Sequence, residues 1–231
     1  TLTILTVYHK GKRLDPAQTP VIRKCPDALK HTVRLEPVTS DIFRLPITKD
    51  EPHVIQLNPA QITTADVRRH FEKTENYIPS DGFCKVAALE RHKGTGLTGI
   101  GICEGYSIRG GAVASSVSHD SHNIIVVGDN DADMAAAVNA VIRSQGGYSL
   151  ACQGNVYDTL PLPVMGLMSE AGFHEVNKKL ERMILQAHRM GVPEDIEPFI
   201  TLSFLALPVI LQLRVTPRGV LDTVNFRYIE Y

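Results

Sequence analysis

Residues 111–128 read GAVASSVSHDSHNIIVVG, two apolar runs parted by the polar knot His119 to His122. Little local freedom is left to such a chain. The spans 111–118 and 123–128 predict two strands, with the knot as the connection between them. Further strands are predicted at 53–58 (HVIQLN), rich in β-branched residues, and at 84–91 (CKVAALER). Residues 131–145 predict a helix, with Met134, Val138, Val141 and Ile142 on one face. Asp129 or Asn130 can cap its start, and Gly146–Gly147 stop it. The clearest helical period spans 173–190. There Phe173, Val176, Leu180, Ile184 and Ala187 form an inward stripe, closed by Gly191 and Pro193. Residues 148–160 read as a hairpin around Gly154–Asn155, and 220–231 as a closing strand. Strands and helices mix without a βαβ rhythm. The expected class is α+β, a mixed β-sheet domain with packed helices.

The first fifty residues differ. LTILTVYHKGKRL alternates like a strand and turns at Gly11, after which Pro16, Pro20, Pro26, Pro37, Pro46 and Pro52 punctuate the chain too often for regular helices. This predicts a strand and an extended proline-rich connector lying on other structure (residues 1–51), ahead of a compact domain at 52–231. The chain of 231 residues is 43% hydrophobic and 21% charged, enough to bury a core. Its 24 basic and 25 acidic residues leave a net charge of −1, which gives nucleic acid no electrostatic footprint. No apolar run reaches the roughly 18 residues a membrane span needs. FITLSFLALPVIL (199–211) comes nearest, and it holds Pro208. Cysteines 25, 84, 103 and 152 form neither a CxxC nor a zinc spacing, so free thiols in a cytoplasmic protein are expected. The start at Thr1 lacks both an initiating Met and the order of a signal peptide, so a preceding segment is expected.

Three motifs carry ionisable or flexible residues. GTGLTG (94–99) satisfies GxGxxG after a strand, but the following IGICEGYSIRGG cannot make the helix a dinucleotide fold requires. Tight turning, or close backbone approach to another segment, is the better reading of glycines 94, 96, 99 and 101. ERHKG places Glu90, Arg91, His92 and Lys93 at a strand end, as a solvated face or as one wall of a site. Ser118, His119, Asp120, His122 and Asn123 admit four readings: a metal site, a Ser–His–Asp nucleophile set, a polar cluster for a ligand or partner, or an Asx turn that satisfies its own backbone. The nucleophile set is the weakest, because no G-x-S-x-G elbow exists. The residues alone leave function and turn evenly matched.

The stretch KVAALERHKGTGLTGIGICEGYSIRGGAVASSVSHDSHNIIVVGDNDADMAAAVN, with LPLPVMGLMS (160–169) and PFITLSFLALPVI (198–210), closely resembles the C-terminal region of bacterial adenine deaminases, over about residues 52–230. VYHKGKRL resembles a late strand of the small β domain that flanks amidohydrolase barrels. The resemblance implies conversion of adenine and water to hypoxanthine and ammonia, in purine salvage, by a metal-bound hydroxide. It places manganese or iron in a (β/α)₈ barrel. The H-x-H pair that begins that barrel's ligand set occurs nowhere here. The implied partners are accordingly the barrel domain of the same protein, adenine and further copies of the chain. No metal and no independent activity are expected of these residues alone. On this reading Glu90, Arg91, His92, Ser118, His119, Asp120, His122 and Asn123 line a purine pocket or an interface. Two alternatives stand beside it: a non-catalytic purine-binding or assembly module, and a small hydrolase with its own metal at His92, His119 and His122.

Overall fold

A computed structural model describes residues 4–15, 24–80 and 82–231. Its centre is an eight-stranded mixed sheet of order β10-β9-β7-β8-β5-β6-β3-β4. The strands are β3 (His53–Leu57), β4 (Thr64–Arg68), β5 (Phe83–Leu89), β6 (Thr98–Glu104), β7 (Gly111–Ser115), β8 (Ile124–Gly128), β9 (Gly147–Cys152) and β10 (Asn155–Pro161). β3 and β6 run parallel, and every other neighbouring pair is antiparallel. The expected α+β class is observed.

The period of two sorts side chains to opposite faces of this sheet. Ala87, Leu89, Ala112, Ala114, Ile124 and Val126 pack against α1 (Asp131–Arg143) through Met134, Ala137, Val138 and Val141. Val86, Ala88, Val113, Ile125 and Val127 face the other way. They meet α2 (Phe173–Arg189), α3 (Pro198–Leu205) and a small sheet of β11 (Leu213–Thr216), β12 (Gly219–Asp222) and β13 (Arg227–Tyr228). Because both faces are covered, the central strands read as continuous apolar runs.

Local chemistry explains most boundaries. Asn130 caps α1, its side chain accepting from Asp133 N–H at 2.8 Å. The β9–β10 hairpin turns at Gln153 and Gly154, both at positive φ, one residue before the expected centre. The 94–101 glycines divide by role. Gly94 and Gly96 turn at positive φ, whereas a Cβ on Gly99 would lie 2.0 Å from Thr216 O and one on Gly101 2.4 Å from Val220 Cγ2. Those two let β6 press against the β11–β12 hairpin.

Two expectations need correction. Phe173 does not face inward but is 75% exposed, because α2 packs through its second half, where Met183 and Ala187 are its fully buried positions. The closing strand at 220–231 is two short strands, β12 and β13, joined by a turn. The FITLSFLALPVIL run contributes the short helix α3 and a following loop.

The N-terminal stretch forms the small hairpin β1 (Tyr8–His9) and β2 (Lys12–Arg13), exposed throughout. Pro16 and Pro20 lie outside the described residues. From Lys24 the connector lies across the α1 face and buries Val33, Phe43, Leu45 and Ile47. Asn139 holds it by exchanging two 2.8 Å hydrogen bonds with the backbone of Val38. Lys85, buried in β5, donates to Phe43 O and to the Asp131 carboxylate at 2.6 Å.

Candidate functional site

Strand register brings ERHKG and SHDSHN together. β5 and β8 are antiparallel neighbours with Leu89 opposite Ile124. The loop leaving β5 at Glu90 therefore lies beside the loop entering β8 at Asn123. α3 packs on the same end of β7 and β8, adding a third wall.

The inner part of this cluster is a frame. Glu90 accepts from the backbone N–H of His92 (2.6 Å), Lys93 (2.9 Å) and Thr95 (3.1 Å), and from the Thr95 hydroxyl (3.0 Å). Partial burial disfavours the charged carboxylate, but these donors overcome it and pull its pKa down to about 2. Glu90 is thus the anchor of the glycine loop. Arg91 is buried, not solvated. Its guanidinium donates to the carbonyls of His122 and of Met165 (3.1 Å) and to the Thr32 hydroxyl (3.3 Å). Burial lowers its pKa to about 10, partly offset by Glu90. The Asn123 carbonyl accepts from Arg91 N–H at 3.4 Å, and its amide donates to Ser121 Oγ. His92 Nε2 meets Ser121 O at 2.7 Å, tying the two loops together.

The outer part is different. His122, at φ 49°, closes the knot: its N–H donates to Ser118 O and its Nδ1 accepts from Ser118 N–H at 3.2 Å. A neutral His122 ring then carries its proton on Nε2. Burial first, then His119, Arg91 and His92, lower its pKa against the pull of Asp120. The ring therefore stays neutral near pH 7. His119 stands edge-on to His122 with ring centroids 5.6 Å apart, and 5.5 Å from the ring of Phe204 on α3. Neither the His119 ring nor the exposed Asp120 carboxylate hydrogen-bonds to another described residue, and Ser118 Oγ is buried without a partner. Asp120 does not cap its own turn, so the Asx-turn reading does not describe how this knot closes.

Sequence reasoning missed Phe204 and Thr32, which lie far from the knot along the chain and reach it only through the packing of α3 and of the connector. The β-branched and aromatic content of α3 gave no signal for which residue would meet His119. No group of three or more His, Cys, Asp or Glu among the described residues is arranged to hold a metal. Of the His92, His119 and His122 trio, two already have a ring nitrogen engaged by Ser121 O and Ser118 N–H. Among the described residues no helix is long and apolar enough to cross a membrane.

Residues 61–227 match the adenine deaminase C-terminal domain family. An adenine deaminase of Desulfitobacterium hafniense (strain Y51) is 41% identical over 231 residues, covering all of this chain and 41% of that protein. Adenine deaminases of Nitratidesulfovibrio vulgaris (strain DP4) and Methanothrix thermoacetophila are 44% and 41% identical, over 96% and 97% of this chain and 40% and 38% of theirs. The chain spans about two fifths of the length of these relatives.

Proposed function

The chain belongs to the adenine deaminase C-terminal domain family, and we propose from that premise that it serves an adenine deaminase by closing one side of the purine site. The reaction exchanges the 6-amino group of adenine for an oxygen from water and releases ammonia. One observation carries the assignment. Glu90, Arg91 and Asn123 spend their polar atoms on the frame, while the His119 ring and the exposed Asp120 carboxylate remain available beside them. A planar base with ring-nitrogen acceptors and an exocyclic amine needs this mixture of donors and acceptors at fixed positions. Neutral His122, protonated on Nε2, offers a hydrogen bond to a ring nitrogen. Asp120 offers a carboxylate to the exocyclic amine, and His119 a second imidazole set against Phe204.

Manganese or iron, implied by the resemblance, supplies an activated water when bound. The described residues provide no ligand set for it, and the proposal leaves its binding to the region that the longer relatives carry. Cytoplasmic location and assembly with further copies of the chain belong to the same proposal. The test is ammonia release from adenine by the full-length protein, beside calorimetric titration of adenine. Turnover supports the reading. Adenine binding without ammonia release would leave the non-catalytic module instead, and the absence of both binding and ammonia release would overturn the purine assignment.

A further inference from the structure

We propose that the surface formed by α3 and the loops 60–64 and 207–212 is the seat on which the rest of a longer protein docks, the knot lying at the edge of that junction. The surface exposes large apolar side chains, and none of the described residues covers them. Ile62 is 49% exposed, Ile200 54%, Leu211 53% and Val209 79%. Ile62 and Ile200, with Phe204 and Leu205, line part of a cavity of about 210 Å³. Contiguous apolar exposure of this kind marks a surface that is covered in the working molecule.

The seat is also rigid, and the reason lies beneath it. Arg214, buried in β11, donates to the carbonyls of Ile62 (2.9 Å), Ile210 (2.9 Å) and Leu211 (2.8 Å) and to the Thr64 hydroxyl (3.1 Å). One guanidinium thereby fixes both loops of the rim. Rims held in advance lose little conformational freedom on docking, which is how a modest area gains affinity.

Charge and chain length select the occupant. The ionisable lining residues of the cavity are Asp195 and Glu197, with no Lys or Arg among them. Glu197 caps α3 by accepting from Ile200 N–H. A fitting partner inserts an apolar side chain between Ile62, Ile200 and Phe204 and sets a basic group against the two carboxylates. The relatives named above are about two and a half times as long as this domain, so covalently attached polypeptide is at hand. The occupant is assigned to that preceding region and not to a second copy. Phe204 lines the cavity while its ring also meets His119. Docking here therefore leaves the knot at the mouth of an interdomain crevice, where ligand sites concentrate.

The assignment rests on family membership and holds whether or not the knot touches adenine. It is tested by placing Ile200→Cys or Val209→Cys singly in the full-length protein and labelling with a bulky thiol reagent, native cysteines being separated by peptide mass. In the native protein both positions should react at least tenfold more slowly than in the urea-unfolded protein, at every protein concentration. Retardation of less than tenfold overturns the docking seat. Protection that vanishes on dilution assigns the surface to a second copy and overturns the proposed occupant. Labelling rates read docking alone, whereas kinetics of knot variants read the purine assignment, so each can fail without the other.

Discussion

Replacing Glu90 by glutamine separates a frame residue from a substrate-binding one. The carboxylate accepts three backbone N–H groups and one hydroxyl, and its pKa falls from the ordinary 4.5 to about 2. At about 1.36 kcal/mol per tenfold change in the proton equilibrium, that fall sets an upper bound of about 3.5 kcal/mol on the stabilisation. Screening at a partly exposed site reduces it to about 1–2 kcal/mol. A depressed carboxylate stabilises the fold above its unfolded pKa, and the contribution disappears as pH drops from 4.5 towards 2. Glu90→Gln keeps the shape and removes the charge. Urea unfolding at pH 7 should show a loss of about 1–2 kcal/mol, and the steepness of acid destabilisation between pH 4.5 and 2 should diminish by a matching amount. A change below about 0.5 kcal/mol with an unaltered acid profile would refute the anchoring role.

Further outcomes follow from the same geometry. Arg91→Met should cost about 2–4 kcal/mol, since it abandons the His122 and Met165 carbonyls in a buried site, and chemical denaturation measures it. On α2, Met183→Ala should cost about 2–4 kcal/mol and Phe173→Ala less than about 0.5, so a reversed order by calorimetry would mean that the helix presents its other face. NMR titration should place the His122 midpoint below the ordinary 6.5, and the stability it contributes should be complete above pH 6.5 and decline as pH falls. A midpoint at or above 6.5 contradicts the environment described. The isolated domain should release no ammonia from adenine.

Sequence and structure part company at identifiable points. The strands at 111–118 and 123–128, the helix at 131–145 and the span of α2 follow from period, and all four were legible. The direction of Phe173 was not, because a helical period does not reveal which turns of the helix are packed, and α2 buries residues only in its second half. β6 hid within a glycine run: its alternation was obscured where Gly99 and Gly101 admit the backbone of Thr216 and the side chain of Val220. α3 buries Phe199, Leu202 and Leu205 yet leaves Ile200 exposed, apolar on every side, so no stripe announced it. Within the site, eight residues in two short stretches pointed to chemistry, and pairing of β5 with β8 brings those stretches together. Which of them serve as frame was illegible. That Arg91 turns inward to carbonyls of residues 122 and 165 depends on long-range packing that no local pattern encodes.

If the knot is an outer layer for ligand set on an inner layer for stability, His119→Ala and Asp120→Asn in the full-length protein should lower kcat/KM for adenine at least tenfold, about 1.4 kcal/mol of transition-state stabilisation, with melting temperature within about 2 °C of the parent. Unchanged kinetics with a lowered melting temperature would instead make the outer layer structural.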